Sequence, residues 1–159
     1  MVPALDIGGS RAMTQANAIL QYIADSHPAA RLGAADGLEA QFEFNETMAF
    51  LTGDFHPAYW PMFSPARYTT DKSPAAHNAV REAAYARIDR VMTFLDGLIG
   101  ERGHVYHDRR SVADAYAYVM ARWSVKTPKP YSAYPHLAAF MTRMGEDEAV
   151  KHVLAASNA

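Results

Sequence analysis

The strongest constraint on the fold lies in the middle of the chain. Ser73 and Pro74 have the residue types of a helix N-cap and first helical position. Val80, Ala84, Ile88, Val91, Leu95 and Leu98 then follow at steps of three and four. The spacing predicts one helix of about seven turns at 3.6 residues per turn. A helix that long with one apolar face needs other elements to cover that face, and helices are what the rest of the sequence supplies.

From Asp36 onward, Leu38, Phe42, Met48, Leu51 and Phe55 recur at intervals compatible with one helical face, up to "HPAYWP", where Pro57 and Pro61 predict an end or a kink. "SVADAYAYVMARW" predicts a further helix, with Val112, Ala115, Tyr116, Val119, Met120 and Trp123 as its apolar stripe. Ser111 and Asp114 form a capping box there, with Asp where Glu or Gln is more usual. After the proline-rich "KTPKPYSAYP", the segments "HLAAFMTRM" and "EAVKHVLAA" read as two shorter helices. At the front, "VPALDI" and "AMT" flank a glycine turn as in a hairpin. Thr14 is the expected cap of a helix bearing Ala18, Ile19, Leu20 and Ile23, and "SHP" at 26–28 stops it. The fold class is therefore mainly α, a helical bundle preceded by a small β appendage.

Composition narrows the function classes. The 159 residues, half of them hydrophobic, amount to one domain's worth of core. A net charge of −2 with scattered Lys and Arg argues against nucleic acid as a partner. The absence of cysteine excludes disulfides, thiolate metal sites and a cysteine nucleophile within this stretch. "HVYH" places His104 and His107 beside Asp108, but that spacing without further ligands does not make a metal site, and none is expected. No apolar run reaches the roughly 18 residues of a membrane span. The start also lacks the basic-then-apolar order of a signal peptide, so a cytoplasmic protein is expected.

Three blocks in combination resemble cytosolic glutathione transferases, with bacterial beta-class members nearest. "VPAL" leading into "TQANAIL" resembles the last third of their thioredoxin-like domain, and "SVADAYAYVMARW" with "HLAAFMTRM" resembles the buried helices of their C-terminal domain. "DFHPAYWPMF" falls where beta-class members carry a similar histidine-containing segment. The resemblance implies a division into residues 1–27, a hairpin-plus-helix remnant of the thioredoxin-like glutathione-binding domain, and 36–159, an all-α C-terminal domain. It also implies glutathione as ligand, apolar electrophiles as co-substrates, and a homodimer.

The same resemblance assigns candidate residues. In thioredoxin-like folds the proline at the position of Pro3 is cis, and the preceding residue, here Val2, pairs through its backbone with the cysteinyl part of glutathione. From the residues alone, Val-Pro also reads as the start of an edge strand. Gln15 and Ala16 stand where relatives hold the γ-glutamyl group, and a helix N-terminus suits that carboxylate. Ala16 departs from the usual Ser or Thr and gives up one hydroxyl contact of about 0.5–1.5 kcal/mol. His56 is placed near the glutathione sulfur as an auxiliary catalytic group. The alternative is a histidine that meets the carbonyls at a helix end. Tyr59, Trp60, Tyr116 and Trp123 are candidates for an apolar substrate pocket, with core packing as the alternative use of the last two. Ser111 and Asp114 read as structural.

The family's catalytic Tyr, Ser or Cys belongs to a segment that would precede Met1. The expectation is a parent activity of conjugating glutathione to electrophiles, weak or absent in a form without that segment. A late start codon, a truncated relative and a fragment all account for it. The other reading is a non-catalytic helical module that binds an apolar ligand or a protein partner.

Overall fold

The computed structural model describes residues 3–9 and 11–157. A two-stranded antiparallel hairpin comes first, with β1 Ala4–Leu5 against β2 Met13–Thr14 in the register Ala4 opposite Thr14 and Leu5 opposite Met13. Helix α1, Ala16–Ser26, follows directly. Thr14 is in the strand, so the cap expected there belongs to Gln15, whose φ of 74° turns the chain from strand into helix. Ile19 and Ala24 are the buried residues of α1; Ala18 and Ile23 face outward.

Helix α2, Leu38–Phe50, and the turn after it bury Met48, Leu51 and Phe55 as expected, but the first turns of α2 depart from the pattern. Phe44, Thr47 and Met48 go inside, while Leu38 and Phe42 are 88% and 64% exposed. Phe42 and Phe44 are two positions apart, about 200° around the axis, so only one of them can meet the core. The edge-on packing of Phe44 against Tyr106, ring centroids 5.1 Å apart, decides which.

The two prolines do not end this helical run. Leu51–Phe55 forms a widened π-type turn in which the His56 N–H reaches back to the Leu51 carbonyl. A proline removes its own N–H bond and crowds the carbonyl four residues back. Here the ladder has already slipped by one residue before Pro57 arrives. The chain then runs on as α3, His56–Ala58, and α4, Trp60–Phe63. Insertions of this kind re-aim the residues that follow and recur at functional sites.

Helix α5, Pro74–Ile99, starts as expected, with the Ser73 hydroxyl accepting from the Ala76 N–H at 3.2 Å. It buries Ala84, Ile88, Met92, Leu95 and Ile99. Helix α6, Val112–Arg122, is enclosed almost all round. Helices α7, Pro135–Glu146, and α8, Glu148–Ser157, close the chain, and α8 has no buried residue.

The start of α6 organises its surroundings. Asp114 is fully buried; its Oδ2 accepts from the Ser111 N–H at 2.7 Å and from the Ser111 hydroxyl at 3.2 Å. Its Oδ1 accepts from the Val105 N–H at 3.0 Å and lies 3.3 Å from His104 Nδ1. The capping box is thus closed, and it also holds the loop before the helix. Each buried N–H left without its acceptor costs about 1–3 kcal/mol. Asp114→Ala is expected to lower the unfolding free energy by about 2–5 kcal/mol in urea titrations, since at least two such groups lose their partner. Asp114→Asn, which keeps one carbonyl acceptor, is expected to lose less.

Candidate functional site

A cleft of about 430 Å³ opens between α1 and α6. One wall is Pro3, Ala16, Ile19 and Leu20; the other is His56, Ala115, Tyr116, Val119, Met120 and Trp123. The lining is apolar apart from the His56 ring and the Tyr116 hydroxyl, which meet each other: His56 Nδ1 and Tyr116 Oη are 2.8 Å apart. Helix α6 presents Tyr116 one turn beyond its cap, and the widened turn before α3 delivers His56 to the same place.

The electrostatics of the pair follow from desolvation. Burial disfavours the charged form of each group, so the His56 pKa is pushed below its ordinary 6.5 and the Tyr116 hydroxyl is pushed above 10.0. At neutral pH both are neutral and share one proton between Nδ1 and Oη. The hydrogen bond of this imidazole to Tyr116 engages Nδ1.

Aromatic rings hold the imidazole in place. Its centroid lies 5.3 Å from Trp123, 5.8 Å from Trp60 and 6.0 Å from Tyr116, all near edge-on. Trp123 also contacts Tyr59 at 5.6 Å and Phe63 at 5.1 Å, which ties the cleft to the core.

The structure brings together Pro3, Ala16, His56, Tyr116 and Trp123 of the sequence candidates. Gln15 is exposed at the rim, next to Ala16, and Val2 lies outside the described residues. Trp60 is half exposed and touches the His56 ring without lining the cleft. Tyr59 does not reach it: the ring is fully buried, its hydroxyl faces Met92 Sδ at 3.5 Å, and burial pushes its pKa far up. Its ring packs instead among Phe55, Phe63 and Trp123 inside the core. His104 and His107 serve separately, one on Asp114 and one on Glu43 at 2.8 Å. Among the described residues no group of three or more His, Asp or Glu is placed to hold a metal.

Sequence reading missed Ile19, Leu20, Ala115, Val119 and Met120 as cleft residues, assigning most of them to a core stripe. The one available signal was that α6 is apolar on more of its circumference than a single packed face uses.

The pH response of the site has a definite sign. His56 is neutral and lowered in the folded state, so its contribution to stability is fully present above 6.5 and is lost as the pH falls through its lowered pKa. The imidazole resonance in NMR titration is expected to show a midpoint below 6.5. The stability of the protein relative to His56→Gln is expected to fall over the same range.

A family model described as the glutathione S-transferase C-terminal domain matches residues 54–157. A glutathione S-transferase of Xanthomonas campestris is 32% identical over 145 residues, spanning 91% of this chain and 70% of that protein. The structure of a glutathione S-transferase from Xylella fastidiosa superposes with a TM-score of 0.88 at 34% identity, covering 99% of this chain and 76% of that one. A sphingomonad glutathione S-transferase, solved in complex with glutathione, gives 0.85 at 32% identity, over 99% of this chain and 74% of that one. The match runs through the hairpin, α1, the histidine turn and the bundle alike, and the chain belongs to the glutathione S-transferase family.

Proposed function

We propose that the cleft between α1 and α6 binds glutathione and an apolar electrophile side by side, for conjugation through the glutathione sulfur. The observation that carries this reading is the meeting of His56 and Tyr116 in an otherwise apolar cleft whose other wall is the first turn of α1. The sphingomonad relative solved with glutathione supports the choice of ligand.

The chemistry follows from the two walls. The exposed N–H groups and positive dipole end of α1 suit the γ-glutamyl carboxylate, with Gln15 beside it. Gln15 is held at φ 74°, a conformation that costs a non-glycine residue about 1–3 kcal/mol. Strain of that kind persists where the surrounding structure requires it, as at a ligand clamp. Across the cleft, the tautomer in which Nδ1–H donates to Tyr116 Oη presents the Nε2 lone pair to the thiol. A thiol with an ordinary pKa of about 8.5 is mostly protonated at pH 7. Transfer of its proton to Nε2 leaves a thiolate beside an imidazolium, and the thiolate then attacks the electrophile. Val119, Met120 and Trp123 supply the apolar surface for that second substrate.

We read residues 1–27 as the glutathione-binding unit and 36–159 as the all-α unit of a cytoplasmic homodimer. Leu38 and Phe42 on α2 and Phe94 on α5 support the homodimer, as large apolar side chains standing in solvent.

Calorimetric titration with glutathione is expected to give saturable binding at millimolar concentration or below. Gln15→Ala should weaken it about two- to tenfold, in line with the loss of one or two hydrogen bonds. Absence of binding at 10-fold higher concentration than about 1 mM, where even weak sites fill, sinks the reading. His56→Ala should leave that affinity within about twofold and slow the weak conjugation expected with a chlorodinitrobenzene-type electrophile by about 10²-fold, the usual scale of general-base loss.

A further inference from the structure

The cleft has two walls that approach each other from distant parts of the chain. Pro3, Ala16, Ile19 and Leu20 belong to the hairpin and α1, whereas Tyr116, Val119 and Met120 belong to α6. Between α1 and α2 the chain passes through residues 31–36, and the fastening of that stretch adds to the direct packing of Ala24 and Leu20 in placing α1.

Its fastenings come from loop 104–111 and the first residue of α6. The Arg109 guanidinium donates through Nη1 to the Arg31 carbonyl and through Nη2 to the Gly33 carbonyl at 2.7 Å. The Tyr106 hydroxyl accepts from the Ala35 N–H at 3.1 Å and donates to the Ala40 carbonyl at 3.0 Å. The Val112 N–H donates to the Leu32 carbonyl at 2.9 Å. Arg109 also sits over the Tyr106 ring, 5.7 Å from its centroid, so the two side chains fix each other. Arg31 itself is in the left-handed region, at φ 53°, which a non-glycine residue holds only under external constraint.

Leu32 and Ala34 pack against the core from this stretch, while its other side borders a polar cavity of about 490 Å³ lined by Asp25, Leu32, Asp36, Gln41 and Arg109, where the hydrogen bonds are the fastenings. The loop that supplies the donors is anchored by Asp114 through the Val105 and Ser111 N–H groups. A continuous chain of bonds therefore runs from the cap of α6, through Tyr106 and Arg109, to the segment that carries α1.

We propose that Arg109 is a positioning residue: its two bonds to the Arg31 and Gly33 carbonyls set the distance between the α1 wall and the α6 wall of the cleft. It does not line the cleft. Its consequence for glutathione affinity rests on the function proposed above; its consequence for the wall-to-wall distance does not.

The absence of cysteine makes the test direct. Nitroxide labels at Tyr22→Cys on α1 and Val125→Cys beyond α6, both exposed positions outside the cleft, report the separation by pulsed electron resonance. The unaltered clamp is expected to give one narrow distance distribution. Arg109→Ala should broaden or split it and raise the glutathione dissociation constant about three- to tenfold, with helicity retained. Arg109→Lys, which reaches one carbonyl at a time, should fall between. Should Arg109→Ala fail to fold, Tyr106→Phe, which removes only the hydroxyl bonds and keeps the ring, is expected to broaden the distribution to a lesser degree. An unchanged distribution in the folded variants overturns the proposal. If the parent protein binds no glutathione, the functional reading fails while the distance measurement still decides the role of Arg109.

Discussion

A single buried carboxylate underlies most of what this chain builds. Asp114 is fully enclosed, and its two oxygens bind the start of α6 and the loop before it. A charge removed from water is tolerable only when hydrogen bonds replace the lost solvation, and backbone N–H groups at a helix start do this well. Because the same carboxylate holds both pieces, the orientation of α6 and the position of loop 104–111 are set together. Helix α6 then presents Tyr116 to the cleft, and the loop presents Tyr106 and Arg109 to the segment leading from α1.

The cleft combines a largely apolar lining with one polar pair. Its walls are alkyl and aryl surface, and the two polar groups it contains satisfy each other. In such surroundings a neutral imidazole is favoured over its cation, which keeps a nitrogen lone pair available at neutral pH. The ring is held by Trp60, Tyr116 and Trp123 on three sides, so its orientation costs little at the moment a ligand arrives. The widened turn at Leu51–Phe55 is what makes this compatible with a proline directly after His56.

Local signals were clear where one residue type does one thing. The Ser73–Pro74 start of α5 and the box formed by Ser111 and Asp114 appear in the structure as read, and along α5 Ala84, Ile88 and Leu95 are buried as expected while Met92 and Ile99 go deeper than Val91 and Leu98. They are decided within a few residues of backbone. Reading was less secure where a residue had two possible uses. Leu38 and Phe42 fitted an apolar face, yet Phe44 won the core because Tyr106 stands opposite it. Thr14 has the chemistry of a cap, but pairing with Ala4 held it in the strand and passed the turn to Gln15. Tyr59 sits in the same ring-rich segment as His56, yet its ring is buried in the core with its hydroxyl on Met92 of α5.

The sequence by itself determined the helical class, the positions of the long helices, the capped start of α6 and the family resemblance, because each rests on spacing or on short motifs. The tertiary structure alone decided that His56 and Tyr116, 60 residues apart, share a hydrogen bond. It also decided that Arg109 grips carbonyls 76 and 78 positions before it. Such contacts depend on how α1, α3 and α6 come to lie against one another. That arrangement follows from the sum of many packing preferences across the core, and no local period or motif carries it.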